Sequence, residues 1–252
     1  MPTPVTKAPN AETATPITLD SFAPGSIAVV VGASGGIGRA FVHHLTNANH
    51  FSQIISLSRS GTPPLDLLDE TSIENCANSL SQMKGDIRLI IDATGFLHDE
   101  NFQPEKSWRH IDPAHMAQNF AINAIGPALL MKHFLPLLPK EGKAAFVTLS
   151  ARVGSIGDNH IGGWYGYRAA KAALNQIVKT MSVELARKKR DALCLALHPG
   201  TVDTGLSAPF AKSGLPVQTP KQATANMLNV INTLSSDQSG GFYAYDGSQI
   251  DW

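Results

Sequence analysis

Tyr167 and Lys171 stand four positions apart in "YGYRAAK", residues 165–171, so on a helix they share a face and their polar ends can converge. A free phenol has a pKa of about 10 and is protonated at neutral pH. A neighbouring ammonium favours the phenolate and draws that value toward the range of a general acid/base. Tyr165 falls on a different face from Lys171 and cannot play this part as well. A bare Tyr–Lys pair is more commonly a surface pair, so its surroundings have to decide.

Two features bear on the choice. Ser150 closes the apolar run "KAAFVTLS", and a hydroxyl there could donate to a carbonyl oxygen held beside the phenol. Taken alone, a serine after a strand is a turn residue. In "NFAINAIGPALL", Pro127 lacks the N–H that an α-helix would direct at the carbonyl of Asn123, and Gly126 softens the same point. A freed carbonyl inside a domain needs water or another donor, and a water near Lys171 would begin a proton path to solvent. A kink that only fits the helix around the core has the same cause.

A third group of residues suits a phosphate ligand. "VGASGGIGRA" joins a β-branched run to an amphipathic stretch. Gly32, Gly36 and Gly38 allow a sharp turn, close approach of a pyrophosphate, and tight helix–sheet packing. The helix behind them offers unpaired N–H groups and a positive dipole end. This spacing, between a first strand and a helix, points to dinucleotide binding rather than a plain tight turn. Arg59 follows the second strand in "SLSRS", with no Asp or Glu between Ser52 and Thr62. An acidic residue there would hold the ribose 2′-hydroxyl of NAD, whereas arginine suits the 2′-phosphate of NADP. A solvated arginine at a strand end is the plainer alternative.

These groups need a frame. From residue 27 short β-branched runs alternate with helical periodicity: "IAVVVGA", "QIISLS", "IRLIIDATG", "KAAFVTLS", "ALCLALHPG" and "GGFYAYDG" read as strands. Helices follow through Phe41 and Leu45, through Ile73 and Leu80, over roughly 113–138, through Lys171, and behind Thr219-Pro220-Lys221-Gln222, a capping-box sequence. Continuously apolar strands separated by helices imply a single-domain Rossmann-like α/β fold, a doubly wound, mostly parallel sheet with helices on both faces. Ligands are then expected at the C-terminal strand ends. Residues 1–24, rich in Pro, Thr and Ala, read as a flexible extension, and 25–252 as the domain.

Composition excludes several classes. Twenty basic residues balance twenty acidic ones, so nucleic acid and anionic membrane surfaces are poor partners. No apolar stretch reads as long enough to span a bilayer. The leader lacks a signal-peptide pattern, and Cys76 and Cys194 have no metal or redox spacing, which suggests reduced thiols in a cytoplasmic protein. His98, His110, His115 and His160 likewise lack metal spacing, and no metal is expected.

In combination the glycine loop, Asn123, Ser150, Tyr167-x-x-x-Lys171 and "HPG" at 198–200 resemble the short-chain dehydrogenases/reductases, from about residue 27 to the last residue. "SARVGSIGDN", "GGWYGYRAAKAALN", "LHPGTVDT" and "DGSQIDW" are similar to the C-factor-like subgroup. The resemblance implies a catalytic tetrad of Asn123, Ser150, Tyr167 and Lys171. In it Tyr167 exchanges the proton, Ser150 orients the carbonyl, Lys171 tunes the phenol and holds the nicotinamide ribose, and the Asn123 carbonyl fixes a relay water. It places Gly32, Ser34, Gly36, Ile37, Gly38 and Arg59 at the cofactor's phosphates and ribose. Asp66 and Leu67 would border the adenine, while Ala93, Thr94 and Gly95 would line the cofactor and Pro199, Gly200, Thr201 and Thr204 the nicotinamide.

Two positions depart from the family pattern. Its N-N-A-G reads Asp92-Ala93-Thr94-Gly95 here, which puts local hydrogen bonding in doubt, and Gly35 stands where many NADP-preferring members carry a basic residue. The implied activity is hydride transfer between NADP(H), with NAD(H) possible, and a small carbonyl or alcohol substrate. A homodimer or homotetramer through helices near 113–138 and 165–187 is also implied. Residues 204–220 would cover the substrate, with Trp164, Leu206 and Phe210 as an apolar wall. The rival reading is a cofactor-binding signalling or sensor protein with little turnover, since fold does not fix function. A purely structural domain is disfavoured by the glycine loop and the freed carbonyl together.

Overall fold

The computed structural model describes residues 17–206 and 217–252. Its main sheet has the order β2-β1-β3-β4-β5-β8, formed by β1 (Ile27–Val31), β2 (Gln53–Leu57), β3 (Ile87–Asp92), β4 (Ala144–Leu149), β5 (Ala192–His198) and β8 (Phe242–Ala244). Every pair in it is parallel. Side chains on a strand alternate between faces, and β1 shows why both faces are covered. Ile27, Val29 and Val31 enter one apolar cluster, while Ala28 and Val30 enter the other. Such a strand is stable only between two helical layers.

Those layers are α1 (Gly36–Ala48), α2 (Glu70–Ser81), α3 (Pro113–Phe120), α4 (Gly126–Phe134), α5 (Tyr165–Lys188) and α6 (Pro220–Thr233). In α2, Ile73, Cys76, Ala77 and Leu80 form a buried stripe, and Asp69 caps the start by accepting from the Thr71 N–H. The capping box expected at Thr219 and Gln222 opens α6. A short parallel pair, β6 (Thr201–Val202) with β7 (Val217–Gln218), has no counterpart in the sequence reading.

Two sequence expectations need correction. Residues 17–24 are not a free extension: Leu19 and Phe22 are buried in the cluster that also holds Phe41 and Ile231. The Thr18 and Ser21 N–H groups donate to the side chains of Asn229 and Asn232, both at 3.0 Å. Residues 113–137 form a continuous helical run long and apolar enough, by composition alone, to cross a membrane, contrary to the expectation that no stretch is. In this fold it is partly buried, and Leu130, Met131 and Phe134 of α4 belong to the core. The backbone irregularity in that run falls around Asn123, where the sequence put it. Residues Ala121–Ile125 form a π-helical turn, in which the Gly126 N–H donates to the Ala121 carbonyl. The widened turn accommodates the missing proline N–H.

The chain leaves β1 toward β2 and then crosses to β3 on β1's other side. The crevice outside the C-terminal ends of β1 and β3 is therefore the topological switch point, where doubly wound sheets bind ligands.

Candidate active site

A cleft of about 440 Å³ opens at that switch point. One wall is Gly32, Ser34 and Arg59; another is Asp66 and Leu67; the floor is Ala93, Thr94 and Gly95. These eight were expected to meet a dinucleotide, and the fold brings them together.

The glycine geometry fits such a ligand. Gly32 has φ +76°, in the left-handed region. A Cβ on Gly38 would sit 2.2 Å from the Gly32 carbonyl oxygen, so only glycine lets the turn close onto the helix. A Cβ on Gly36 would lie 3.1 Å from Thr204 Cγ2, which places Thr204 directly against the loop. Gly35, the N-cap of α1, offers no side-chain bond to the first-turn N–H groups, which suits an anion. The Ile37 side chain is partly buried against the core cluster. Pro199, Gly200 and Thr201 lie outside the cleft lining. Gln218 Nε2 donates to the Pro199 carbonyl at 3.3 Å, and Gly200, at φ +80°, is enclosed by Gln218 and Tyr245.

Asp92, at the end of β3, resolves the hydrogen-bonding question raised by its departure from asparagine. Its Oδ1 accepts from the Thr94 N–H at 3.1 Å and the Thr94 hydroxyl at 2.5 Å. Its Oδ2 accepts from the Thr148 hydroxyl on β4 at 2.7 Å. Burial nonetheless raises its pKa, with these bonds and the Lys171 charge opposing.

Asn123, Ser150, Tyr167 and Lys171 are all buried. Asn123 clamps the exit of β3: its Oδ1 accepts from the Phe96 N–H at 2.9 Å and its Nδ2 donates to the Phe96 carbonyl at 2.8 Å. Lys171 Nζ donates to the Leu149 carbonyl at 2.8 Å and lies 5.9 Å from the Tyr167 ring centroid. Gly154 packs so closely on this helix that a Cβ there would meet Lys171 Cβ at 2.8 Å.

The expectation that Lys171 draws the phenol pKa down does not hold in this arrangement. Burial raises Tyr167 above its ordinary value, and the Lys171 ammonium donates to the Leu149 carbonyl. Burial also lowers Lys171 to about 8, with Asp92 opposing. Burial thus disfavours the charged form of each.

Two residues were missed, and a third, His198, was named only as part of the HPG motif. Asn175 accepts from the Ser150 hydroxyl at 2.6 Å; it lies one turn beyond Lys171, so helical spacing could have found it. Glu105, buried, accepts from the Gly166 N–H at 3.1 Å at the start of α5, and its carbonyl accepts from the Trp164 N–H at 2.6 Å. No periodic signal marks it. His198, at the end of β5, has its pKa depressed to about 4 by burial and by the Arg152 charge, with Asp246 opposing.

That depression has a measurable consequence. The fold holds His198 neutral, so its contribution to stability is complete above the ordinary value of 6.5 and is lost as pH falls toward about 4. Urea unfolding at about pH 7.5 and about pH 5 should show a loss on the order of 1 kcal/mol that His198→Gln removes. An unchanged loss in the variant would assign the acid sensitivity elsewhere.

Trp164, φ 54°, precedes α5 and meets Tyr167 edge-on at 6.2 Å between centroids. Leu206 is exposed at the edge of the described chain, and Phe210, with most of the expected substrate cover, lies outside the described residues.

Comparison with known proteins agrees with this geometry. The family model for short chain dehydrogenases matches residues 26–213. C-signal of Myxococcus xanthus is 36% identical over 142 residues, 56% of this chain and 81% of that protein. The 1-hydroxy-2-glutathionyl-2-methyl-3-butene dehydrogenase of a Rhodococcus species is 28% identical over 90% of this chain and all of that one. Among solved structures, an NADPH-bound carbonyl reductase from chicken fatty liver superposes with a TM-score of 0.79 at 28% identity, covering 92% of this chain and 100% of that one. The chain belongs to the short chain dehydrogenase family of oxidoreductases.

Proposed function

We propose that the chain interconverts a small carbonyl compound and its alcohol using NADP(H), with NAD(H) the weaker alternative. The observation that carries the reading is the burial of Ser150 at the end of β4 and of Tyr167 and Lys171 one turn apart on α5, with Lys171 Nζ bonded to the Leu149 carbonyl, in a fold whose switch-point cleft is lined by Gly32, Gly95 and Arg59. Gly32, Gly36 and Gly38 with the α1 N-terminus would hold the pyrophosphate, and Arg59 the 2′-phosphate. When bound, the nicotinamide supplies the hydride for reduction or takes it in oxidation.

The side chains supply the rest. Tyr167 Oη gives its proton to the substrate oxygen in reduction and takes it back in oxidation. A phenol raised by burial is protonated at neutral pH, the form reduction requires. Lys171 assists oxidation by leaving the Leu149 carbonyl and bringing its charge to the phenol, which favours the phenolate. The burial of Tyr167 strengthens each of these interactions.

The second reading, a signalling protein with little turnover, draws on the likeness to C-signal. An intact set of Ser150, Tyr167 and Lys171 favours the enzyme, since cofactor sensing alone needs no buried phenol. Incubation with NADPH and a panel of aliphatic and aromatic aldehydes and ketones separates the two. Loss of nicotinamide absorbance only when a carbonyl is present supports the enzyme; its absence across the panel supports the sensor.

A further inference from the structure

Ser150 has one hydroxyl proton, and the structure commits it. Its Oγ lies 2.6 Å from Asn175 Oδ1, and both side chains are buried. In this arrangement Ser150 offers only lone pairs to its other neighbours, so it cannot donate to a carbonyl oxygen. The amide of Asn175 is half used: its Nδ2 is buried and donates to no described group.

A half-turn of that amide exchanges the two atoms without moving the helix. Nδ2 then donates to Ser150 Oγ, and the hydroxyl proton is released to a new acceptor. The atom left without a partner becomes a carbonyl oxygen, which is tolerated at least as well as an orphaned N–H. Both states keep Ser150 bonded; they differ only in whether it gives a proton or receives one.

The position of Asn175 suits this role. It lies on α5 one turn past Lys171 and two turns past Tyr167, on the same face. Ser150 is held from the other side, where its N–H donates to the Leu197 carbonyl at 2.8 Å. The backbone of Ser150 is thereby fixed, and the side-chain proton is the remaining freedom. We propose that Asn175 is a positioning residue: its amide sets whether Ser150 presents a proton or a lone pair to the reacting oxygen. This rests on the oxidoreductase reading above.

The test is a double-mutant cycle of Ser150→Ala and Asn175→Leu, the leucine having similar bulk and no hydrogen bonds. Asn175→Leu should lower kcat about tenfold with the NADPH dissociation constant unchanged, the scale of one lost buried hydrogen bond. In the Ser150→Ala background the same change should cost less than about twofold, because its target is gone. The unfolding temperatures of the four cofactor-free proteins should show the same shortfall from additivity. If Asn175→Leu does not fold, Asn175→Ala takes its place in the cycle. Losses in kcat that multiply, or an Asn175 variant with wild-type kcat, would overturn the inference alone. A wild type that consumes no NADPH with any carbonyl overturns the oxidoreductase reading and this inference with it.

Discussion

Tyr167→Phe should lower kcat by about 10²- to 10⁴-fold, the range a positioned general acid supplies, and leave NADPH affinity within about twofold. The substitution removes one oxygen and keeps the ring. That ring is buried, meets Trp164 edge-on at 6.2 Å and has Lys171 Nζ 5.9 Å from its centroid, contacts phenylalanine preserves. A fold defect is therefore a poor explanation for lost turnover. The glycine cleft is built from β1, β2 and β3 termini and does not use Tyr167. Steady-state kinetics with any carbonyl accepted in the panel, together with a binding titration, checks both halves. Turnover within tenfold of wild type would remove Tyr167 from the chemistry.

Arg59→Ala should weaken NADPH binding by about 10- to 100-fold and change NADH binding little, since a hydrogen bond to a charged group contributes about 1.5–3 kcal/mol. Arg59 sits at the cleft wall just beyond β2, is exposed, and has Ser58 and Ser60 as its chain neighbours. Gly35 adds no charge to the loop, so on the proposed reading Arg59 would carry most of the discrimination against NADH. An exposed pair is screened by salt, and the NADPH preference should narrow as ionic strength rises. Equal losses for both cofactors would show that Arg59 does not meet a 2′-phosphate.

The parts of this site legible in the sequence are those encoded locally. A four-residue spacing on a helix, a serine at a strand end and a glycine turn between strand and helix each fix geometry within a few residues of themselves. The order of apolar runs gave the sheet for the same reason. What escaped depends on chain segments far apart. Thr18 meets Asn229 across 211 positions, so a Pro- and Thr-rich leader looked free when part of it is docked. Ser150 meets Asn175 only because β4 and α5 pack side by side. The sign of the Tyr167 shift escaped for a related reason: spacing shows that Lys171 can reach the phenol, but not that the phenol is buried and that the Leu149 carbonyl accepts from the ammonium. At Asp92 the departure from asparagine left the local hydrogen bonding in doubt, and Thr94 and Thr148 supply its donors.

The most direct test is a titration of the purified cofactor-free protein with NADPH and with NADH, followed by nicotinamide fluorescence, because it requires no knowledge of the substrate. The account predicts saturable binding of both, with NADPH tighter by at least about tenfold. A folded protein that binds neither cofactor would contradict it.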